Sequence, residues 1–143
     1  DQDAENWVVF DMDIKLDNKV QQKEDYENAI QLAESKGINV AYSNDAFELW
    51  FLLHYQFFDN QWTRYQYYQK LGEIWNCNYE KMGKQLAFCK QIYKRLKEDN
   101  QASQTDAILR AKKLKGQQLE IRLADQNPIT TVHLLVTSLN EHL

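Results

Sequence analysis

The first 44 residues contain a strand–helix–strand pattern, which restricts the fold more than any other feature of the sequence. An apolar run, Trp7–Phe10, ends at Asp11 and has the character of a buried parallel strand. Apolar or small residues recur at helical spacing over Lys19–Lys36, and Gly37 follows where a helix C-cap is expected. Residues 38–42 alternate as in a second strand. The pattern predicts a βαβ unit with a right-handed crossover.

The rest of the chain has a helical pattern. Only one Pro and four Gly occur in the 143 residues, so long helices are expected. A helical stripe runs from Met82 to Leu96, and the last helix is expected to follow Asn127-Pro128, with Pro128 near its start. Residues 119–123 alternate weakly, as in a short edge strand. We expect one α/β domain over 1–143: a small parallel sheet in a βαβα core over 1–58, and a mainly helical part over 59–143.

The composition limits the class of protein. Hydrophobic residues make up 43% of the chain, enough for a folded core, but no apolar run is long enough to span a bilayer. The N-terminus is acidic and polar, the reverse of a signal peptide, so we expect a cytoplasmic protein without membrane contact. Cys77 and Cys89, like the three scattered histidines, lack the spacing of a zinc site.

The strongest local signal for chemistry is Asp11-Met12-Asp13, at the carboxyl end of the first predicted strand. Ligands of open α/β sheets bind beyond the carboxyl ends of the strands. Carboxylate oxygens suit Mg²⁺, which keeps several waters and meets substrate phosphates. An Asp after a strand more often ends the strand or caps the next helix, so Asp11 and Asp13 alone are weak evidence.

Glu48 is the second candidate, because it lies in an apolar segment, Phe47–His54, where a carboxylate must be paired, protonated or metal-bound. Asp45 and Glu48 are also spaced as a capping box, and by local pattern alone the cap is favoured. His54, six residues after Glu48, projects from a different helix face and is by itself better explained as a hydrogen-bonded interior histidine.

Charge is unevenly distributed along the chain. Residues 81–116 contain ten Lys and Arg against three acidic residues, a net charge of +7, whereas the whole chain carries −4. Such a segment suits a phosphate-binding surface, with Lys81, Arg110, Lys112 and Lys113 as candidate contacts. On charge alone, solvated faces of amphipathic helices are the simpler and favoured explanation.

Three segments together resemble RloB-like proteins. Residues 7–13 (WVVFDMD) resemble that family's W-V-V-F-D-x-D strand. Residues 41–54 (AYSNDAFELWFLLH) resemble its A-x-S-N-P-x-F-E-L-W-L-L-L-H segment, and residues 127–136 (NPITTVHLLV) resemble its N-P-x-T-x-V-H-x-L-V helix. Lys81 and Arg110 fall where the family has Y-x-K and R-A. Order and spacing agree over nearly the whole chain.

The resemblance implies a Rossmann-like, Toprim-type core and a magnesium- or manganese-dependent nuclease of anti-phage defence, with an ABC-type ATPase and DNA or RNA as partners. It makes Asp11 and Asp13 metal ligands and Glu48 an active-site carboxylate. His54 and His133 match family positions without an assigned role. The family's Pro is Asp45 here, and its upstream E-G-x-x-T-E region is not present, so we expect an N-terminally truncated domain that lacks a catalytic Glu.

Three functions stay open at this point. Metal-dependent phosphodiester cleavage is the leading hypothesis. A non-catalytic interaction module that docks the ATPase or nucleic acid is the alternative, and a phosphoryl or nucleotidyl transferase is a third class, because fold does not fix function. A sheet edge left open by a missing strand would favour pairing with another chain, and hence a homo-oligomer.

Overall fold

The computed structural model describes residues 4–13, 15 and 17–143, so residues 1–3, 14 and 16 of the expected domain lie outside the description. Strand β1 (Trp7–Asp11) pairs in parallel with β2 (Asn39–Asn44), with Trp7 opposite Asn39 and Asp11 opposite Ser43. Helix α1 (Lys19–Ser35) connects them. Gly37 follows with a φ of 72°, a left-handed conformation that ends the helix. The βαβ prediction is confirmed.

A third strand makes the sheet mixed. Strand β3 (Ile129–Thr130) pairs antiparallel with β2, and the strand order is β1-β2-β3. The Ser43 and Thr130 hydroxyls are 2.9 Å apart across this pair. The expected α/β class is therefore confirmed, but the sheet is not wholly parallel. Pro128 lies just before this strand, and the last helix follows it as expected, with β3 between them.

The edge strand expected at residues 119–123 is absent: turns occupy this segment, and residues Leu123–Asp125 form a 3-10 helix. The side chain of Gln118 explains this. Its amide nitrogen donates to the carbonyls of Leu114 (3.2 Å) and Pro128 (2.6 Å), while its oxygen accepts the Asn127 N–H at 2.8 Å. One buried side chain therefore hydrogen-bonds to both ends of the connection that leads into β3. The backbone of this connection needs no strand partner.

Helices make up most of the chain after β2, as the sequence predicts. They are α2 (Glu48–Leu53), α3 (Arg64–Trp75), α4 (Tyr79–Met82), α5 (Leu86–Cys89), α6 (Ile92–Glu98), α7 (Gln104–Gly116) and α8 (Val132–Glu141). The stripe from Met82 to Leu96 does not form one helix but spans three short ones. The chain turns at Gly83, where an added Cβ would lie 2.9 Å from the Tyr79 ring, so only glycine fits this turn.

The core that positions the site surrounds α2. Leu49, Leu52 and Leu53 have no exposed surface and pack with Tyr67 of α3 and residues of α7. Burial of each such leucine stabilises the fold by about 1.5–3 kcal/mol. Because α2 is held on several sides, the position of Glu48 at its first turn is fixed relative to the sheet.

Candidate functional site

Four carboxylates lie around one edge of the sheet. Asp11 ends β1 and Asp13 follows it, while Asp45 follows β2 and Glu48 begins α2. Strands β1 and β2 are parallel, so their carboxyl ends share this edge. The sequence therefore placed Asp11, Asp13 and Glu48 in one region, and the structure adds Asp45.

Arg64, the first residue of α3, connects two of these carboxylates. Its Nη2 lies 3.4 Å from Asp13 Oδ1, and its Nε lies 3.9 Å from Asp45 Oδ2. The backbone N–H of Arg64 also donates to Asp45 Oδ2 at 2.8 Å. Asp45 therefore binds the start of α3, and its expected role in a capping box with Glu48 at the start of α2 was wrong. The cation also offsets part of the repulsion among the carboxylates.

Glu48 is held by a tyrosine from a distant helix. The Tyr79 hydroxyl, on α4, donates to Glu48 Oε1 at 3.1 Å. Burial raises the pKa of the Glu48 carboxyl, and this hydrogen bond and the charge of Arg64 offset the rise only in part. Glu48 is therefore a fixed carboxyl group that binds a proton more readily than an exposed one.

Asp11 has the more strongly shifted pKa. Burial raises the pKa of its carboxyl to about 6, and the negative charge of Glu48 contributes in the same direction. A hydrogen bond from the Phe47 backbone N–H and the charge of Arg64 act against the rise. Buried carboxyls with raised pKa values beside a charged partner are typical of functional sites, although ion-pair networks produce them too.

A small cavity of about 320 Å³ with mixed polar and apolar walls lies beside Asp11 and Asp13. Its other walls are formed by Phe10, Met12 and, from α1, Gln22, Asp25, Tyr26 and Ala29. The Tyr26 hydroxyl is buried and has no hydrogen-bond partner among the described residues. An unsatisfied buried hydroxyl is costly, so it favours a polar occupant in this cavity.

The carboxylates of this site fit a hydrated Mg²⁺ ion better than a metal ion whose ligands all come from the protein. Within the described ranges, no group of three or more His, Cys, Asp or Glu side chains is arranged to hold a metal. Mg²⁺ commonly uses only one or two carboxylates and fills its other positions with water and phosphate oxygens. Asp11 and Asp13 could supply hard oxygen ligands of that kind, and the adjoining cavity has room for water.

His54 and His133 are both buried and do not join the carboxylates. His54 Nδ1 lies 2.8 Å from the Trp50 carbonyl, and burial lowers the pKa of its imidazole. In α8, burial, with a contribution from Lys115, lowers the pKa of His133 to about 4. Both rings are therefore neutral at pH 7, and the interior explanation of His54 fits its contacts.

The four basic residues expected to contact phosphate lie on two helices. Lys81 is exposed on α4, whereas Arg110, Lys112 and Lys113 lie on α7. Arg110 Nη1 donates to the Leu53 carbonyl at 2.7 Å, and the Lys113 ammonium lies 4.2 Å from the centre of the Phe57 ring. These two side chains thus have structural contacts, while Lys81 and Lys112 extend into solvent.

Arg64 and Tyr79 were not assigned to the site by sequence analysis. Arg64 lies in a helix rich in aromatic residues, where its charge suggests a surface position, and Tyr79 was noted only as part of the Y-x-K match. Both reach the carboxylates across more than 15 intervening residues. No local pattern predicts contacts of that kind.

The fold and the site together define a mixed α/β domain with carboxylates gathered at the carboxyl edge of its parallel strands. The chain belongs to the RloB-like protein family, whose model matches residues 1–139. This membership confirms the resemblance and supports a defence-associated role. No curated protein and no solved structure matches the chain. In the part of the chain that the structure describes, no helix is long and apolar enough to cross a membrane.

Proposed function

We propose that this chain is a metal-dependent nuclease domain of anti-phage defence, which cleaves phosphodiester bonds in DNA or RNA and acts with an ABC-type ATPase. The observation that supports this proposal most strongly is a pair of partly buried carboxyls with raised pKa values, Asp11 and Glu48, at the carboxyl edge of the sheet. Membership in the RloB-like family supports the same function.

Asp11 and Asp13 would hold Mg²⁺ or Mn²⁺ in this proposal. A bound divalent cation stabilises the negative charge that develops on the phosphate during cleavage. Asp11 contributes a fixed ligand at the end of β1, whereas the exposed Asp13 contributes a ligand that is now paired with Arg64. Release of Asp13 to the cation would leave the Arg64 guanidinium to bind a phosphate oxygen.

Glu48 would hold or transfer a proton. A general acid or base works best when its pKa lies near the working pH, and burial moves the pKa of Glu48 in that direction. The Tyr79 hydroxyl fixes one carboxylate oxygen and leaves the other for a water or a leaving oxygen. Tyr79 is thus a positioning residue, because it acts through Glu48.

The first test is a calorimetric Mn²⁺ titration of the parent chain, the double variant Asp11→Asn, Asp13→Asn, and Glu98→Gln. Glu98 forms a surface pair with Lys94 at 3.9 Å and serves as a control for the loss of a carboxylate elsewhere. We expect binding by the parent and the control and none by the double variant. Equal Mn²⁺ binding by all three would contradict the proposed metal site.

A second test separates metal binding from proton transfer. Glu48→Gln keeps the size of the side chain and its hydrogen bond with Tyr79, but it removes the titrating group. We expect this variant to bind Mn²⁺ as the parent does and to lose cleavage of single- and double-stranded DNA and RNA. Cleavage at the parent's rate would contradict the role of Glu48.

A second candidate function is the interaction module. One observation favours it: α8 buries only Val132 and His133 and exposes Leu134 and Leu139 by 39% and 55%. This function would be favoured over the nuclease if the parent and the Asp11→Asn, Asp13→Asn variant both bind the ATPase and Leu134→Asp does not. The parent should then show no cleavage.

A further inference from the structure

A second, larger cavity lies next to the carboxylate site. It has a volume of about 970 Å³ and its walls are mostly apolar. One face of α2 forms one side, with Phe47, Phe51 and His54, and residues of α6 and α8 form the others. Pockets for organic ligands have volumes of about 300–1,000 Å³, with apolar walls and a few polar groups that orient the ligand.

The side of the cavity that α2 forms presents hydrogen-bond acceptors, whereas Lys97 on α6 is a donor and the amides of Gln104 and Asn140 both donate and accept. Glu48 lies on its wall, and Tyr79 occupies only one oxygen of that carboxylate. His54 Nδ1 lies 2.8 Å from the Trp50 carbonyl, an acceptor, so Nδ1 is the protonated nitrogen and Nε2 is an acceptor in the neutral ring. A ligand that fits this side must therefore direct N–H donors toward Glu48 and His54 and place an apolar face on the rest of the lining.

Aromatic side chains give the cavity a preference for flat ligands. Phe47, Trp50, Phe51, Tyr79 and Tyr93 all contribute to its lining. A nucleobase meets both requirements, because every base stacks on aromatic rings and several carry N–H donors on one edge. A phosphate does not, since Glu48 would repel it. The exposed Lys97 is the cationic residue that would meet a phosphate outside the cavity.

The cavity and the carboxylate site share a wall. Phe47 and Glu48 line the cavity, and the Phe47 backbone N–H donates to the Asp11 carboxylate. A base in the cavity would therefore carry its own sugar and phosphate toward Asp11. A stacked, paired base cannot enter such a cavity, so the ligand is an unpaired base from a single strand or one turned out of a duplex.

We infer that this cavity binds one unpaired nucleobase of the nucleic-acid substrate and so positions the adjoining phosphodiester at the carboxylates. The inference rests on the proposed nuclease function for the substrate, but base binding itself requires neither a metal nor cleavage. On this inference, Phe51, Tyr93 and the residues of α8 that line the cavity bind the base, which the carboxylates alone do not do.

The test compares two substitutions on α8. Leu139 lines the cavity and is 55% exposed, whereas Leu134 is 39% exposed and is not part of the lining. Leu139→Trp places an indole at the cavity without disturbing the core, and Leu134→Trp is its matched control. The probe is a short single-stranded oligonucleotide with one 2-aminopurine, titrated in EDTA so that it stays intact.

We expect the parent and Leu134→Trp to quench the 2-aminopurine fluorescence on binding, because the base stacks on aromatic rings. Leu139→Trp should weaken binding about 5-fold or more, the effect of losing one stacked base. An oligonucleotide with an abasic site at the same position should bind all three proteins equally and weakly.

Equal binding of the 2-aminopurine probe by Leu139→Trp and the parent would overturn the inference. So would a change in self-association, rather than in oligonucleotide binding, when Leu139→Trp is examined by sedimentation, since the cavity would then be an interface between copies. Base binding that depends on Leu139, together with absent Mn²⁺ binding, would overturn the nuclease proposal and leave the base site standing. Mn²⁺ binding and cleavage, with base binding unaffected by Leu139→Trp, would overturn the base site and leave the nuclease proposal standing.

Discussion

Asp11→Asn is expected to stabilise the protein at neutral pH while it removes function. Burial raises the pKa of Asp11 from 3.8 to about 6. Keeping this carboxylate ionised in the folded protein at pH 7 therefore lowers the free energy of unfolding. Asparagine has nearly the same shape and carries no charge. It keeps the oxygen that accepts the Phe47 N–H, so the substitution removes the charge with little change in packing.

The size of the effect follows from the difference in pKa between the unfolded and folded states. A shift of about 2 units at about 1.4 kcal/mol per unit gives roughly 2–3 kcal/mol. The folded-state pKa is raised, so the folded protein binds more protons than the unfolded one between pH 4 and 6. Its stability therefore falls as the pH rises through this window, and the full penalty is present above pH 6.

The assay is urea unfolding of the parent chain and Asp11→Asn at pH 4 and pH 7. The variant should be more stable by about 2–3 kcal/mol at pH 7 and by much less at pH 4. Asp13→Asn is the control: its carboxylate is 60% exposed and pairs with Arg64 at 3.4 Å, so we expect a change within about 1 kcal/mol. A parent that is more stable than Asp11→Asn at pH 7 would refute the reasoning, because the contacts of the carboxylate would then outweigh its burial.

Other predictions follow from packing and titration. Gly72→Ala should destabilise α3 by about 1–3 kcal/mol in thermal unfolding, because its Cβ would lie 2.7 Å from a backbone carbonyl, whereas Gly116→Ala, with open space around it, should be neutral or stabilising by up to about 1 kcal/mol. Leu52→Ala should lower the free energy of unfolding in urea by about 3–5 kcal/mol, whereas Leu119→Ala, at a residue that is 72% exposed, should lower it by less than about 0.5 kcal/mol. Similar losses in the two variants would contradict the burial of α2. The lowered pKa of His133 makes stability fall as the pH drops from about 6.5 toward 4, and NMR of the imidazole should show no protonation above about pH 5; a midpoint near 6.5 would contradict its burial.

Local sequence was sufficient for the elements of the N-terminal half. The apolar run before Asp11, the helical spacing of α1 and the glycine after it depend on interactions within a few residues, and each was predicted correctly. The placement of Asp11 and Glu48 near one another follows from parallel pairing of β1 and β2. That pairing joins strands separated by the whole of α1, and a βαβ connection predicts it without further contacts.

Local sequence was misleading where a side chain outside the local pattern binds a backbone or carboxylate group. Asp45 and Glu48 have capping-box spacing, but Arg64 and Tyr79 bind their carboxylates instead. These hydrogen bonds, between residues far apart in the chain, outweigh a local preference of about 1 kcal/mol. Residues 119–123 alternate as a strand does, yet the neighbouring Gln118 side chain holds this region in turns.

The sequence by itself determined the α/β class, the strand that carries Asp11 and the family, because these depend on periodicity and on motifs that are contiguous in the chain. Only the tertiary structure decided that β3 joins the sheet antiparallel, that Arg64 pairs with Asp13 and Asp45, and that an apolar cavity adjoins Glu48. The apolar segment around Glu48 already indicated a buried carboxylate, but the burial that raises the pKa values of Asp11 and Glu48 results from the packing of the whole chain. Local sequence alone does not contain it, because the distance between two elements is set only when the chain folds.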